Sequence, residues 1–309
     1  MSTTQQPSRI YVFGATSMTG WAIAQRLPLA VKFCNTFTRA TQAAHFERLN
    51  LDNESSLAAL FHDRPPDVLI HCGGICDVDR CEEDPAWAHA INVASMETIV
   101  RAAPLNTRIV YVSSDHVFSG NHGPYDEDSP PCPISVYGQT RVQAEHILLS
   151  HRPDALVTRT GLSIGNSIDG KTGHLDWLKG RTKRGLPTTV VRDESRCVSW
   201  SDDLAQRIIA LADSTLTGIR HIVTTKAVSR EELAFFVNNY FHIGARIQVE
   251  QRSDRAVPHL GQMRLQTKWR DALSSPLQSV TETNVTVKPR DVNGAHGPIE
   301  KPPNYGALH

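Results

Sequence analysis

Short continuous apolar runs, each closed by glycine or proline and followed by a stretch with helical spacing, recur along the first half of the chain. Ile10-Tyr11-Val12-Phe13 ends at Gly14 and gives way to residues compatible with a helix as far as Leu27. An unalternating run of about four to eight apolar residues is the mark of a strand buried on both faces. Pro28 stops the first helix, and Val31 to Thr38 predicts a second strand. Ser55 to His62 predicts a short helix, Pro65-Pro66 a break, and Asp67 to His71 another buried strand with glycines directly behind it. Ala86 to Ala103 has apolar residues at helical spacing and is closed by Pro104. Arg108 to Val112 then reads as strand, Ser135 to Ser150 as helix and Ala155 to Thr158 as strand.

Strands alternating with helices predict an α/β fold, a Rossmann-type doubly wound parallel sheet whose ligands sit outside the carboxyl ends of the strands. Beyond Gly161 the pattern loosens. Gly165 to Gly185 is rich in glycine and charge, while Trp200 to Asp213 and Arg230 to Tyr240 predict helices, and Ile219 to Val223 a strand returning to the main sheet. The expected organisation is a dinucleotide-binding domain over 1–160, with 190–225 returning to it, and a smaller C-terminal substrate-binding cap over 161–189 and 226–280. A tail over 281–309, carrying Pro289, Pro298, Pro302 and Pro303, is expected to be extended or disordered.

With 309 residues, 40% of them apolar, the chain can bury a sizeable core. Its 32 basic and 32 acidic residues balance, so no overall field favours nucleic acid or an anionic membrane. Met1 to Ser8 is polar and lacks an apolar run, and no stretch reaches the roughly 18 apolar residues of a membrane span. A cytoplasmic location and a homodimer are the default expectations. Cys34, Cys72, Cys76, Cys81, Cys132 and Cys197 are read as reduced thiols. Three of them lie near His71, but the spacing is not a paired C-x-x-C and Cys72 ends a strand where a small hydrophobe packs, so no metal is expected.

Gly14-Ala15-Thr16-Ser17-Met18-Thr19-Gly20 joins the first strand to the first helix, where main-chain N–H groups and the helix dipole can receive a pyrophosphate. The dinucleotide fingerprint has glycine where Ser17 stands. After the second strand comes Arg39, with no acidic residue to grip a ribose 2′-hydroxyl, and a guanidinium suits a 2′-phosphate. NADP is therefore expected over NAD. Ser113 and Ser114 close the Arg108–Val112 strand, and Tyr137 and Arg141, four apart, share a face of the next helix. Reducing a carbonyl requires an acid for the developing alkoxide, which a tyrosine beside a cation supplies.

The chain resembles the dTDP-4-dehydrorhamnose reductase family of extended short-chain dehydrogenase/reductases, which also includes the NADP-binding regulatory subunit of methionine adenosyltransferase. The resemblance runs from Ile10 to about Leu273. It is carried by the segment from His71-Cys72-Gly73-Gly74-Ile75 to Glu82, by Ile91-Asn92-Val93, by Val112-Ser113-Ser114-Asp115-His116-Val117-Phe118, and by Gly123-Pro124-Tyr125 continuing to Val136-Tyr137-Gly138. It implies NADPH-dependent reduction of a 4-keto nucleotide sugar. Ser114, Tyr137, Arg141 and Asn92 are then the catalytic set, with Tyr137 as proton donor and Asn92 supporting the site backbone. Gly14, Thr16, Ser17, Met18, Gly20, Arg39, Asp52, Cys72, Gly73 and Gly74, with Tyr137 and Arg141, are expected to bind the cofactor. Val78, Asp79, Ser114, His116, Trp177 and Trp200 are expected to face the substrate.

Several positions depart from the family pattern. Arg141 stands where the family has lysine, Ser17 replaces a glycine, Ile75 an aromatic and His116 a tyrosine. A unit charge at about 5 Å and an effective dielectric near 20 still contributes roughly 3 kcal/mol, so arginine retains the electrostatic role. It cannot join a proton relay. Two alternatives stay open: an NADP-binding regulatory or scaffold protein with little catalysis, and an epimerase or dehydratase on the same fold.

Overall fold

The computed structural model describes residues 8–283. The first seven residues, and all but the start of the tail expected over 281–309, lie outside the described residues. The first buried run forms β1 (Ile10–Phe13), followed by α1 (Met18–Arg26) and β2 (Val31–Cys34). β2 is shorter than the expected 31–38 because Asn35 turns the chain: its Oδ1 accepts from Phe37 N and from Thr38 Oγ1, both at 3.0 Å. A two-residue strand, β3 (Glu47–Arg48), is too short to leave a sequence pattern; α2 (Glu54–Asp63) and β4 (Val68–His71) follow.

The helix expected over 86–103 is interrupted. α3 (Val78–Glu83) and α4 (Pro85–His89) lead into a single π-helical turn at Ala90–Ala94 before α5 (Ser95–Ala102). Such turns cluster at functional sites, and this one holds Asn92. β5 (Arg108–Ser114), α6 (Val136–His151) and β6 (Leu156–Thr160) complete the first half. Then come β7 (Leu162–Ile164), α7 (His174–Lys183), β8 (Thr188–Val191), β9 (Ser195–Trp200), α8 (Ser201–Ala212), β10 (Gly218–Ile222), β11 (Ala227–Ser229), α9 (Arg230–Tyr240) and β12 (Ile247–Glu250).

Seven strands pair in the order β10-β6-β5-β4-β1-β2-β3, parallel throughout. Successive side chains of a strand point to opposite faces, and both faces are covered. Val12, Ile70, Val110 and Leu156 pack with Ile23 of α1 and Leu204 and Ile208 of α8. Tyr11, Phe13, Leu69, Ile109 and Tyr111 pack on the other side with Phe61, Ile99 and Leu148. From β1 the chain moves outward to β2 and β3, then crosses back to β4 and β5. The strand order therefore reverses beside β1, which opens a crevice at the carboxyl ends of β1 and β4.

Two small sheets, β11-β9-β7 and β12-β8, lie beyond this body, with a separate core of Ile164, Leu178, Val198, Trp200, Leu233, Val237 and Tyr240. All six cysteines are free thiols. Among the described residues no helix is long and apolar enough to cross a membrane, and no group of three or more His, Cys, Asp or Glu side chains could hold a metal ion.

Candidate active site

The turn after β1 forms one wall of the crevice. Gly14 has φ +69°, and a Cβ there would stand 2.4 Å from Gly73 N; a Cβ on Gly20 would stand 2.2 Å from Gly14 O. Neither position admits a side chain. Ser17 needs no glycine, since its backbone is extended (φ −68°, ψ 164°) and its hydroxyl accepts from Gly20 N at 3.1 Å, making it the N-cap of α1. Thr16 is half-buried beside it. The N–H groups of Met18 and Thr19, at the start of α1, have no intrahelical acceptor and are free for an anion. The Met18 thioether packs away from them: a Cβ on Gly173, just before α7, would lie 2.5 Å from Met18 Cε.

The turn after β4 forms the facing wall. Cys72 is buried, and burial pushes its thiol up to about 12 against the opposing influence of Arg141, so it is a neutral packing group. His71 lies beneath it, held neutral by burial and by Arg141, its pKa down at about 3. A Cβ on Gly73 would stand 2.8 Å from the His71 ring. Gly74 has φ +129°, and a Cβ there would meet Arg141 Nη2 and Asn92 Oδ1, each at 2.7 Å. Asn92 is buried and grips the next residue twice: Oδ1 accepts from Ile75 N at 2.8 Å and Nδ2 donates to Ile75 O at 3.2 Å. Nδ2 also donates to Thr140 Oγ1 at 3.0 Å, whose hydroxyl donates to Tyr137 O at 2.8 Å. One buried amide thus ties the cofactor-side turn to the helix carrying the tyrosine.

The tip of β5 and the start of α6 bring Ser114, His116 and Tyr137 together. Ser114 Oγ accepts from His116 N at 3.2 Å, and the His116 ring meets the Tyr137 ring edge-on at 5.1 Å. α6 can seat here because Gly138 has no side chain: a Cβ would lie 2.2 Å from His116 O. Ser135 caps the helix, and Glu82 Oε1 accepts from Val136 N at 2.7 Å. Tyr137 is buried among Cys81 and Ala88, with Ile75 and Val78 packed alongside. Among the described residues nothing hydrogen-bonds its hydroxyl. Arg141 is buried with its guanidinium carbon 5.1 Å over the Tyr137 ring.

The structure brings the Gly14–Gly20 turn, Cys72 to Gly74, Asn92, Ser114, His116, Tyr137 and Arg141 into one connected set. Asp79 is exposed in the first turn of α3. Asp52 is exposed, its N–H directed to Asn50 Oδ1. Arg39 is exposed and turns back on its own loop, donating to Thr36 O and Thr38 O, both at 3.3 Å. Trp177 stands in α7 against His174 and Arg181. Trp200 packs among Phe236, Tyr240 and Phe241 in the core of the small sheets, its indole N–H donating to Thr283 Oγ1 at 2.7 Å.

Three residues have no sequence signal. Arg48 on β3 donates to Thr38 O and Asn35 O, so two guanidinia converge on the loop after β2. Tyr111 on β5 accepts from Arg141 Nη1 at 2.7 Å. Arg196 on β9 makes a two-pronged buried ion pair with Asp115, which is wholly buried under the site. Beside that pair His116 is neutral, its pKa driven well below the ordinary value by burial and Arg196.

A protein-family model described as the RmlD substrate binding domain matches residues 8–272. Methionine adenosyltransferase 2 subunit beta of Xenopus laevis is 29% identical over 255 residues, 76% of this chain and 72% of that protein. A probable dTDP-4,6-dihydroxy-2-methyloxan-3-one 4-ketoreductase of Streptomyces antibioticus is 28% identical over 232 residues, 73% of this chain and 75% of that protein. Among solved structures, dTDP-4-dehydrorhamnose reductase from Bacillus anthracis, crystallised with NADP, superposes with a TM-score of 0.76 at 20% identity. That match covers 90% of this chain and 97% of the other.

Proposed function

The chain belongs to the RmlD substrate binding domain family, and from that premise we propose that it is an NADPH-dependent reductase of a 4-keto nucleotide sugar, with Tyr137 as proton donor. The reading is carried by the grouping of Tyr137, His116 and Ser114 at the carboxyl end of β5, beside the glycine turns after β1 and β4. The Streptomyces relative is named for a 4-ketoreductase and the Bacillus neighbour for its NADP complex.

The residues present fit a phosphorylated dinucleotide. The Gly14 to Gly20 turn leaves N–H groups open at a helix start, and Arg39 and Arg48 meet at the end of β2, neither paired with a described carboxylate. Bound there, NADPH supplies the hydride. Ser114 Oγ hydrogen-bonds the carbonyl oxygen, and the Tyr137 hydroxyl, free of any partner within the described chain, gives it the proton. Asn92 keeps the two walls in register. The proposal includes a substrate-binding cap over 161–189 and 226–280 that brings Trp177 to the nucleotide sugar, with Val78 and Asp79 of α3 facing it from the other side. It also includes a cytoplasmic location.

One observation favours a second reading, an NADP-binding regulatory protein of low turnover: the charge of Arg141 is directed inward to Tyr111. Relatives named as the beta subunit of methionine adenosyltransferase 2 support it in part. Mixing the purified protein with NADPH and dTDP-4-dehydrorhamnose separates the two. Oxidation of NADPH with reduction of the sugar supports the enzyme, tight binding without oxidation selects the regulatory protein, and no binding sinks both.

A further inference from the structure

Arg141 is a buried cation with no carboxylate beside it. Nη1 donates to Tyr111 Oη at 2.7 Å and reaches Gly73 O at 3.5 Å, while Nε has no partner. The guanidinium carbon lies 5.1 Å from the centre of the Tyr137 ring and 5.6 Å from that of Tyr111. Stripping water from a cation is costly unless other groups replace it. Here the replacements are one phenol oxygen, one carbonyl and two ring faces. Burial works against the charge, the hydrogen bond to Tyr111 and the closeness of Tyr137 favour it, and the pKa of Arg141 stands above its ordinary value. The side chain remains charged.

Tyr111 fixes where that charge sits. It lies on β5, wholly enclosed, its ring stacked on His71 at 5.5 Å with 19° between the planes. Burial raises its pKa, opposed by Arg141, so the phenol is neutral and its oxygen is an acceptor. A planar guanidinium can give one nitrogen to Tyr111 and still lie across the Tyr137 ring, a pair of contacts that the compact head of a lysine cannot make together. The same placement sets Nη2 directly under Gly74, whose lack of a side chain leaves it room.

We propose that Tyr111 is a positioning residue for the reaction, holding the Arg141 guanidinium against the face of Tyr137 and beneath the Gly73–Gly74 turn. The cation then acts on the proton donor through its ring and on the cofactor turn through Gly73 O. This rests on the reductase reading above. It also makes Tyr111 and Arg141 one unit, whose effects on turnover cannot add.

The test is a cycle of Tyr111→Phe, Arg141→Gln and the double variant in the full chain, with NADPH binding followed by fluorescence and turnover followed with dTDP-4-dehydrorhamnose. Tyr111→Phe removes one oxygen and leaves the ring on His71, so the fold is retained, which a thermal melt checks. The expected result is about a tenfold fall in kcat, an NADPH Kd within about twofold of the parent, and no further fall when Tyr111→Phe is added to Arg141→Gln. Independent losses that multiply in the double variant overturn the proposal, as does a Tyr111→Phe enzyme of full turnover. A parent protein that binds no NADPH, or binds it without turnover, removes the reductase reading and this proposal with it. An active parent with multiplying losses removes the proposal alone.

Discussion

Asn92 holds both main-chain polar groups of Ile75, accepting from its N–H at 2.8 Å and donating to its carbonyl at 3.2 Å. The π-helical turn at Ala90–Ala94 delivers this amide: an ordinary α-helical register would present a different residue to the Gly73–Ile75 segment. Asn92→Ala therefore leaves two main-chain groups and Thr140 without their partner. The expected cost is about 2–3 kcal/mol of stability in urea unfolding. A fall in kcat should accompany it, because Thr140 no longer ties Tyr137 to the cofactor side. A variant as stable and as active as the parent would show that the clamp is idle.

Arg39 and Arg48 approach the same carbonyl, Thr38 O, from neighbouring segments, and no described carboxylate offsets either. Two cations meeting at the end of β2 suit the 2′-phosphate that distinguishes NADP from NAD. Arg39→Ala and Arg48→Ala should each weaken NADPH about tenfold and leave NADH nearly unchanged. Calorimetric titration of both nucleotides decides it. Equal losses for the two would mean that neither arginine reads the phosphate.

Much of the sheet was legible because each buried strand writes itself as an unbroken apolar run, as in Ile10–Phe13 and Val68–His71. The end of β2 was not, since Asn35 stops the strand by a side-chain hydrogen bond that hydrophobicity does not record. Ser17 looked like damage to the glycine motif and is a helix cap. The residues carried by resemblance, Asn92, Ser114, Tyr137 and Arg141, lie in one connected set, whereas Trp200 packs in the core of the small sheets. Their partners stayed hidden: Tyr111 is 30 residues from Arg141, and Arg196 is 81 from Asp115. Contacts of that range follow from strand order, not from any local period.

Asp115 and Arg196 form a buried ion pair below His116. Breaking such a pair from one side leaves a bare charge inside the protein, at a cost of about 3–5 kcal/mol. Asp115→Ala should show a loss of that order in urea unfolding. Replacing both partners, Asp115→Ala with Arg196→Met, should recover most of it, since an apolar pair needs no counter-charge. If the double variant is the less stable of the two, the pair contributes more than mutual neutralisation.

His71, His116, His174 and His221 are buried and held neutral, His71 and His174 with pKa values of about 3, His221 with one of about 4 and His116 well below the ordinary value. Burial is the main cause in each, reinforced by Arg141 at His71, Arg196 at His116 and Arg230 at His174, while at His221 Glu127 opposes it and Arg159 reinforces it. In the unfolded chain the same groups protonate near the ordinary value of about 6.5. As the pH falls below that value the unfolded state takes up protons the native state refuses, and stability drops by up to about 5 kcal/mol per pH unit once all four contribute. Glu194 adds to the loss at lower pH. Burial alone would raise its carboxyl, but the bond to His259 and the charges of Arg230 and Arg196 hold it at about 2. Its stabilisation is complete above about 4.5 and disappears as the pH falls toward 2. The urea midpoint should therefore be insensitive to these groups above pH of about 7 and fall steeply from about 6 to 4. His174→Phe should remove about a quarter of the slope in that window, because one of four refused protons is gone. A midpoint that stays level down to a pH of about 4 would mean that the buried histidines already carry their protons in the native protein.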